Sequence, residues 1–380
     1  MTHNIRKVVG LIVALCTAFA ATAQTHARVA NKYPVAFVYV GSGVIYAFAA
    51  AADGRLTPVP GSPFPGKVYP MAVKSGYLFG TGGTYIYSYS IASDGALKRV
   101  FAIDATQYND PPGSGFLRGL FLDRTSATLY DQDLYCCGDE YAYQFFKVAN
   151  STGRLTYLGV SDGATGFGVP MTFIGNNVYA YGASSEYPYG YYDSIFGFRR
   201  SKGGKLTFAG GGWELPLNLP GYGYEVSLTS TDPANHIVVS VQAIDDNQTP
   251  YGLPQLATYT AHTDGSLTTT STFWNMPSTT NQSVSALAMS PSGKLLAVGG
   301  SNGLQVFHYN GADPITHYTG LLVQGAIDQI AWDDDNHLYA VSHISGKLFV
   351  FTVTPTGHRQ APGSPYAITT PWAVSVLPKT

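Results

Sequence analysis

The sequence predicts an all-β protein, a seven-bladed β-propeller of four-stranded antiparallel blades. Three observations predict it: a short Gly-x-Leu turn cassette recurs, seven strand-like runs accompany it, and the C-terminus repeats motifs from the start of the chain. A cassette that returns every ~40–60 residues is typical of propellers and similar arrays. The 43 Gly and 23 Pro, with no helical periodicity of useful length, agree with an all-β chain rich in turns.

The turn cassette marks the step from the third to the fourth strand of each blade. Five copies are clear and two are weaker: Asp53–Leu56, Asp94–Leu97, Thr152–Leu155, Gly203–Leu206 and Asp264–Leu267, then Gly311–Ile315 and Thr356–Gly357. We name the strands of a blade a to d from the channel outwards. Blade 2 shows the pattern most clearly, because Tyr85–Ser90 alternates with the period of two expected of a strand.

The second strand of each blade, strand b, is predicted from short apolar runs. The seven runs are Phe37–Val40, Tyr77–Gly80, Thr128–Asp131, Val178–Gly182, Ile237–Val241, Leu295–Val298 and Leu338–Val341. The first blade lacks an a-strand of its own, and Pro371–Val374 matches Pro70–Val73 and Pro170–Phe173. The C-terminal strand is therefore expected to join the first blade and close the ring, which leaves only short protected edges.

Residues 1–23 are interpreted as a secretory signal peptide. Arg6 and Lys7 form a basic region, Val8–Ala20 is apolar, and Ala21–Ala23 is a small-residue cleavage site. Residues 24–34 form a linker and 35–380 a single propeller domain, so we expect a periplasmic or secreted protein. No later segment is apolar enough for a stable membrane span.

Composition limits the possible partners. The formal net charge is −2 and charged residues make up 12% of the chain, without the basic stripe of a nucleic-acid-binding protein. No metal-ligand spacing or cofactor motif is present, so no cofactor is expected. The acidic run Asp333–Asp335 is interpreted as a solvated turn. We expect the protein to be a monomer.

Cys136 and Cys137 are either two thiols or a vicinal disulfide, which an oxidising compartment permits.

Propeller topology places the b–c and d–a connections on one face of the ring. The long connections all belong to these two kinds and fall mainly in blades 3 to 5. They carry Tyr187, Tyr189, Tyr191 and Tyr192, followed by Trp213, Tyr222 and Tyr224, and Trp372 lies at the start of the last strand. Tyrosine and tryptophan offer a flat apolar face with a polar tip, which suits sugar rings and peptides. The alternative is a loop whose rings pack on themselves.

The mouth of the channel is the second candidate site. Aligning the a-strands on Pro70 and Met71 places Arg118, Asp328 and Trp372 at the position of Met71, and Glu225 one residue earlier. Charged groups there could act on a ligand or could be solvated by channel water.

The cassette of paired Tyr/Val-rich strands, Asp-Gly-x-Leu and Gly61–Phe64, with Pro70–Val73 after it, resembles the lactonase-type seven-bladed propellers. That family includes 6-phosphogluconolactonases, muconate-lactonising enzymes and exported bacterial paralogues without an assigned activity. The resemblance covers essentially the whole chain after the signal peptide. It implies a propeller fold and a hydrolase that acts on a sugar lactone or a related ester.

The family's catalytic set is only partly matched. Its enzymes carry Pro-Arg-His on an a-strand and a Glu after the next b-strand, which can polarise a carbonyl and move a proton. Here Arg118 is kept, Gly119 stands at the histidine position, and Asp133 is an approximate substitute for the Glu. No cluster of Arg and Lys is visible for clamping a phosphate.

Two hypotheses follow. In the first, the protein binds a small molecule (a carbohydrate or lactone) or a protein or glycan ligand through the b–c/d–a face of blades 3 to 5. In the second, it is a lactonase with Arg118, Glu225 and Asp328 at the channel mouth. Whether the chain is an enzyme stays open.

Overall fold

The structure, a computed structural model, describes residues 34–379 except 75, 109–116, 136–139, 162–163, 166–170, 185–193, 214–218 and 248. The described residues form 32 strands and one short 3₁₀ helix, Thr106–Tyr108. The first sixteen strands are β1 Ala36–Gly41, β2 Val44–Ala50, β3 Leu56–Pro58, β4 Phe64–Pro65, β5 Met71–Lys74, β6 Tyr77–Gly82, β7 Tyr85–Ile91, β8 Leu97–Asp104, β9 Leu117–Leu122, β10 Thr128–Tyr135, β11 Glu140–Val148, β12 Leu155–Val160, β13 Ala164–Thr165, β14 Thr172–Phe173, β15 Tyr179–Ser184 and β16 Ser194–Arg200. The other sixteen are β17 Leu206–Trp213, β18 Tyr222–Thr231, β19 His236–Asp245, β20 Pro250–Ala261, β21 Leu267–Thr268, β22 Val284–Met289, β23 Leu295–Gly300, β24 Gly303–His308, β25 Thr316–His317, β26 Val323–Gln324, β27 Gln329–Trp332, β28 His337–Ser342, β29 Lys347–Thr354, β30 Gly357–Gln360, β31 Tyr366–Ala367 and β32 Ala373–Pro378.

These strands form seven antiparallel blades, which confirms the predicted architecture. From the channel outwards, blade 1 holds β32, β1, β2 and β3, blade 2 β5–β8, blade 3 β9–β12, blade 4 β14–β17, blade 5 β18–β21, blade 6 β22–β25 and blade 7 β27–β30. The innermost strands of neighbouring blades contact one another around the channel. Four two-residue strands, β4, β13, β26 and β31, pair with the c-strands of blades 1, 3, 6 and 7.

The predicted b-strands correspond to β1, β6, β10, β15, β19, β23 and β28, and each lies within its observed strand except that Val178 precedes β15. Every residue of β1, β23 and β28 is buried. A strand that is covered on both faces reads as a continuous apolar run. The b-strands were therefore the easiest strands to predict from the sequence.

The ring closes through the C-terminal strand, as expected. Strand β32 pairs with β1 in six consecutive residue pairs, from Gly41↔Ala373 to Ala36↔Pro378. It is also tied to both neighbouring blades. The Val374 amide donates to Gln329 Oε1 of blade 7 at 2.6 Å, and the Ser375 hydroxyl donates to the Met71 carbonyl of blade 2 at 3.2 Å.

The turn cassette recurs because its glycine is part of the seam between blades. Gly95, in the c–d turn of blade 2, has φ = 90°, a conformation that L side chains rarely adopt. A Cβ at Gly95 would lie 2.4 Å from Phe37 Cδ1 of blade 1, and Tyr39 donates its hydroxyl to the Gly95 carbonyl at 3.1 Å. Tyr181 and Gly265 repeat this bond at 2.9 Å between blades 4 and 5. Both the backbone conformation and the lack of space explain the repeated glycine.

The acidic run of blade 7 is not simply a solvated turn, because Asp333 is buried. Its Oδ2 accepts hydrogen bonds from His337 Nδ1 and from the Tyr339 hydroxyl, each at 2.8 Å. Its Oδ1 accepts the His337 backbone N–H at 2.8 Å. Asp334 and Asp335 are exposed, as a solvated turn requires. Asp333 therefore holds the a–b turn against strand β28.

Candidate functional site

Backbone hydrogen bonds show which connections share a face of the ring. In blades 1, 2 and 7, a residue shortly before the a-strand donates its amide N–H to a carbonyl near the end of the b-strand. The pairs are Trp372 to Gly41 at 2.8 Å, Tyr69 to Thr81 at 2.8 Å and Asp328 to Val341 at 2.9 Å. The d–a connections therefore lie beside the b–c loops. We call this side the upper face.

The same three bonds place Tyr69, Trp372 and Asp328 at equivalent positions of consecutive blades, which we call the rim position. The sequence alignment had correctly grouped Asp328 with Trp372. It had matched both to Met71, whereas their equivalent in blade 2 is Tyr69, two residues earlier. A shift of two residues leaves the alternation of side chains unchanged. The sequence pattern therefore could not reveal it.

Arg118 occupies the rim position of blade 3. The pair Leu120↔Asp131 corresponds to Met71↔Gly80 of blade 2, since Asp131 and Gly80 are the fourth residues of β10 and β6. Arg118 lies two residues before Leu120, as Tyr69 does before Met71. The pairing shifts there, so that the backbone of Arg118 forms a β-bulge. Bulges are frequent beside functional sites because they redirect the chain.

Glu225 does not share the rim position. In blade 5 the pair Thr229↔Val239 is the equivalent of Met71↔Gly80, because Val239 is the fourth residue of β19. Glu225 lies four residues before Thr229, beyond a bulge, and pairs with Gln242. Its side chain is exposed. The structure therefore groups Arg118 and Asp328 by register and leaves Glu225 outside the group.

A histidine joins Asp328 and Trp372 at the rim. Asp328 Oδ2 accepts the backbone N–H of His343 at 2.6 Å, which fixes the b–c loop of blade 7. The His343 ring is stacked on Trp372, with centroids 3.5 Å apart and planes at 23°. Its Nδ1 is buried and has no hydrogen-bond partner among the described residues. The Trp372 indole therefore packs on the imidazole of His343, and the backbone N–H of His343 is held by the Asp328 carboxylate.

Tyr69 continues this row of rings into blade 2. Its ring centroid lies 6.1 Å from that of Trp372, at an angle of 48°. Both side chains remain accessible, with 54% of Tyr69 and 41% of Trp372 exposed. Partial burial and the nearby charge of Asp328 raise the pKa of the Tyr69 phenol. The phenol is therefore neutral at physiological pH and can donate or accept a hydrogen bond.

A cleft of about 550 Å³ opens beside these two rings on the upper side of blade 2. Ligand pockets typically enclose ~300–1,000 Å³. Rings and cations share its walls: it is lined by Tyr69, Tyr87, Tyr89 and Trp372, with Lys67, Arg99, Thr81 and the glycines 66, 82 and 83. We call it the aromatic cleft.

Sequence reasoning found only one member of the aromatic cleft, Trp372. Tyr87 was read simply as part of an alternating strand, although its half-buried ring lies under Arg99, whose guanidinium carbon is 5.6 Å from the ring centroid. His343 was not among the predicted site residues, and its b–c connection, 343–346, is short. Tyr69 lies in a d–a connection whose Gly61–Phe64 motif was assigned to the regular repeat.

The aromatic residues predicted in blades 4 and 5 have different environments. Tyr224 is buried in the core between the two blades, and half-buried Trp213 packs edge-on against Tyr181 at 6.0 Å. Tyr222 is half-buried and lies 4.8 Å from Tyr251 between ring centroids. The exposed aromatic group there also includes Trp274, which sequence reasoning missed and which is 73% exposed.

A second cavity, of about 600 Å³, lies at the c–d turns of blades 4 and 5, on the opposite face. Its cations are Arg199, Arg200 and Lys202, and Asp264 supplies an opposite charge. Arg200 is already paired with the buried carboxylate of Asp123. This cavity is polar and belongs to the seam between blades.

Several predicted residues lie outside the described ones. They are Tyr187, Tyr189, Tyr191, Tyr192, Cys136 and Cys137, together with nearly all of the signal peptide and linker. The backbones of Arg118 and Asp133 lie in β9 and β10.

Among the residues that the structure describes, no group of three or more His, Cys, Asp or Glu side chains could hold a metal ion. In the same part of the chain, no helix is long and apolar enough to cross a membrane.

Comparison with protein-family models finds no match, and comparison with curated proteins finds none either. Solved structures do match. The chain is similar to a proposed 6-phosphogluconolactonase from Bacteroides fragilis, with a TM-score of 0.60 and 12% identity over 90% of this chain and 98% of that one. A Lactobacillus plantarum protein gives a TM-score of 0.61 and 14% identity over 90% and 99%. Hydrazine synthase from Kuenenia stuttgartiensis gives 0.57 and 12% over 87% and 99%.

These likenesses confirm the fold that the resemblance to lactonase-type propellers implied. Proteins with quite different names share it at similar scores. A fold used for several chemistries does not identify one of them. Function therefore has to be argued from the site.

Proposed function

We propose that this protein is an exported binding protein that holds a carbohydrate in the aromatic cleft of its upper face. Export rests on the predicted signal peptide. The observation that carries the binding proposal is the pair of accessible rings of Trp372 and Tyr69 beside a cleft of about 550 Å³. Apolar faces of a sugar ring pack on such rings while its hydroxyls reach the polar groups around them.

The rings are also preorganised. Trp372 is stacked on His343, and the backbone of His343 is held by Asp328. A binding surface that is already ordered loses less conformational entropy when the ligand arrives. The proposed seat lies in blades 1 and 2 of the upper face, whereas the sequence had favoured blades 3 to 5 of the same face.

Replacing Trp372 by Ala should lower the affinity for the bound oligosaccharide ~10–100-fold, since aromatic anchors of an interface contribute ~1–3 kcal/mol each. Binding is measured by calorimetry with the tightest ligand from an array of immobilised neutral and acidic oligosaccharides. Tyr69→Ala should act in the same direction.

Trp274→Ala is the matched control, because Trp274 is the most exposed tryptophan and lies in blade 5. It should leave the affinity unchanged. Loss of binding in Trp274→Ala, with full binding in Trp372→Ala, would move the site to blade 5 and refute the proposed seat.

A second function, hydrolysis of a sugar lactone or related ester, is favoured by one observation. Arg118 and Asp328 occupy the same rim position, and Arg118 lies at a β-bulge. A guanidinium at the channel mouth could stabilise the oxyanion that forms when water attacks a lactone carbonyl.

Under this second proposal, purified protein should accelerate glucono-δ-lactone hydrolysis above the spontaneous rate, and Arg118→Ala should remove at least ~90% of the acceleration. Glu225→Ala should retain it, because Glu225 lies away from the rim position. Rates equal to the spontaneous one in the wild-type protein would exclude this function for that substrate.

A further inference from the structure

The polar groups of the aromatic cleft are unbalanced in charge. Lys67 and Arg99 both line it, and no Asp or Glu of the described residues does. Neither cation forms an ion pair with any described residue. The chain as a whole carries a formal charge of −2, so the cleft is a positive site on a slightly acidic protein.

The acidic group that acts on Tyr69, Asp328, is already bound to another residue. Asp328 lies close enough to Tyr69 to raise the pKa of its phenol, but its Oδ2 already accepts the His343 N–H. Asp328 belongs to blade 7, whereas Arg99 lies on β8, the outer strand of blade 2. Lys67 and Arg99 are therefore available to bind a negatively charged group of a ligand in the cleft.

The cations line the same cleft as the rings, which limits the kind of ligand that can contact both. Arg99 lies over the Tyr87 ring, so its planar guanidinium is held against the wall of the cleft. Lys67 lies on the connection that leads to Tyr69. A ring that packs on Tyr69 and Trp372 can thus present a substituent to both cations.

We infer that the ligand of the aromatic cleft is an acidic sugar, whose ring packs on Tyr69 and Trp372 and whose carboxylate pairs with Lys67 and Arg99. This inference rests on the proposed carbohydrate-binding function and adds the ligand class. A guanidinium can bind a carboxylate with two parallel hydrogen bonds, which a neutral hydroxyl does not match. An exported protein meets uronates, whereas phosphorylated sugars are cytoplasmic.

Sequence reasoning had found no cluster of cations. Lys67 and Arg99 are separated along the chain and come from a connection and an outer strand. In the folded blade both cations line one cleft with Tyr87 and Tyr89 of β7.

The test compares a hexamer of galacturonate with cellohexaose, which is neutral, in calorimetric titrations of the full chain. Wild-type protein should bind the acidic hexamer at least ~10-fold tighter. Its affinity should fall as NaCl rises from ~50 to ~500 mM, because salt screens exposed charges. The double variant Lys67→Gln/Arg99→Gln should lose ~10–100-fold in affinity for the acidic hexamer and bind cellohexaose as before.

Lys98→Gln is the matched control. Lys98 is an exposed cation adjacent to Arg99 on β8, and it does not line the cleft. This control should bind like the wild type, and circular dichroism should show that all variants remain folded.

Three results would overturn the inference: equal affinity of wild type for both hexamers, an unchanged affinity of the double variant for the acidic one, or no binding of the acidic hexamer. The first leaves the carbohydrate-binding proposal intact. Trp372→Ala, titrated in parallel, separates the two claims. If Trp372→Ala binds the acidic hexamer normally and the double variant does not, the pairing of the carboxylate with Lys67 and Arg99 is supported. The packing of the sugar on the aromatic rings is then refuted.

Discussion

Replacing Asp333 by Ala should lower the free energy of unfolding by about 3–5 kcal/mol. The Asp333 side chain is 1% exposed and accepts bonds from His337 Nδ1, the His337 amide and the Tyr339 hydroxyl. Its removal leaves these buried donors without an acceptor, and each costs about 1–3 kcal/mol of desolvation. Urea unfolding followed by tryptophan fluorescence measures the difference.

Asp334→Ala is the control for this prediction, because Asp334 is exposed in the same turn. Desolvation and the charges of Asp333 and Asp335 raise the pKa of Asp334. A raised pKa means that the ionised form is disfavoured in the folded protein, so its removal should be neutral or slightly stabilising at pH 7. If Asp333→Ala were no more destabilising than Asp334→Ala, the buried network would not hold the seventh blade.

Deletion of residues 373–380 should prevent the protein from folding. The deletion removes β32, which pairs with β1 in six residue pairs and buries Ala373, Val374 and Val376. It exposes the backbone edge of β1 and the apolar side chains between blades 7 and 1. That loss exceeds the ~5–15 kcal/mol by which domains are typically stable.

Soluble yield, size-exclusion chromatography and circular dichroism measure the effect of this deletion. A chain that lacks only Thr380 is the control, because it keeps β32 complete. We expect the control to unfold at the wild-type temperature and the longer deletion to aggregate. A folded, monodisperse protein without residues 373–380 would show that the closing strand is dispensable.

The sequence predicted the architecture well because the same contacts between blades recur around the ring. The turn glycine is required by its positive φ and by the ring of Phe37 or Tyr179 beneath it. The b-strands are apolar because both of their faces are covered. Both requirements come from the neighbouring blade, but they recur at the same place in successive blades, so they leave a repeated pattern in short stretches of sequence.

The candidate site was predicted less well because it is assembled from distant segments. Tyr69, His343 and Trp372 belong to three blades, and only ring closure brings Trp372 between His343 and Tyr69. Long connections drew attention to blades 3 to 5, where much of the chain lies outside the described residues. The connections that carry Tyr69 and Trp372 share the repeated motif Gly61–Phe64 and Gly363–Tyr366, so they were assigned to the regular repeat. Tyr87 and Tyr89 lie on strand β7, where they form part of the strand alternation.

The lactonase resemblance was informative about the fold and less so about the site. It directed attention to Arg118, whose backbone does occupy the rim position with Asp328. It gave no indication of His343, Lys67 or Arg99, because these residues are not part of the family pattern. The inference of an acidic ligand rests on Lys67 and Arg99, which the resemblance did not indicate.

The most direct test of the central claim is a crystal structure of the protein with the tightest-binding oligosaccharide of the array. We predict a sugar ring packed on Trp372 and Tyr69, inside the cleft of about 550 Å³ on the upper face. A sugar seated instead on Tyr251 and Trp274 of blade 5, or in the cavity beside Arg199 on the opposite face, would contradict the account.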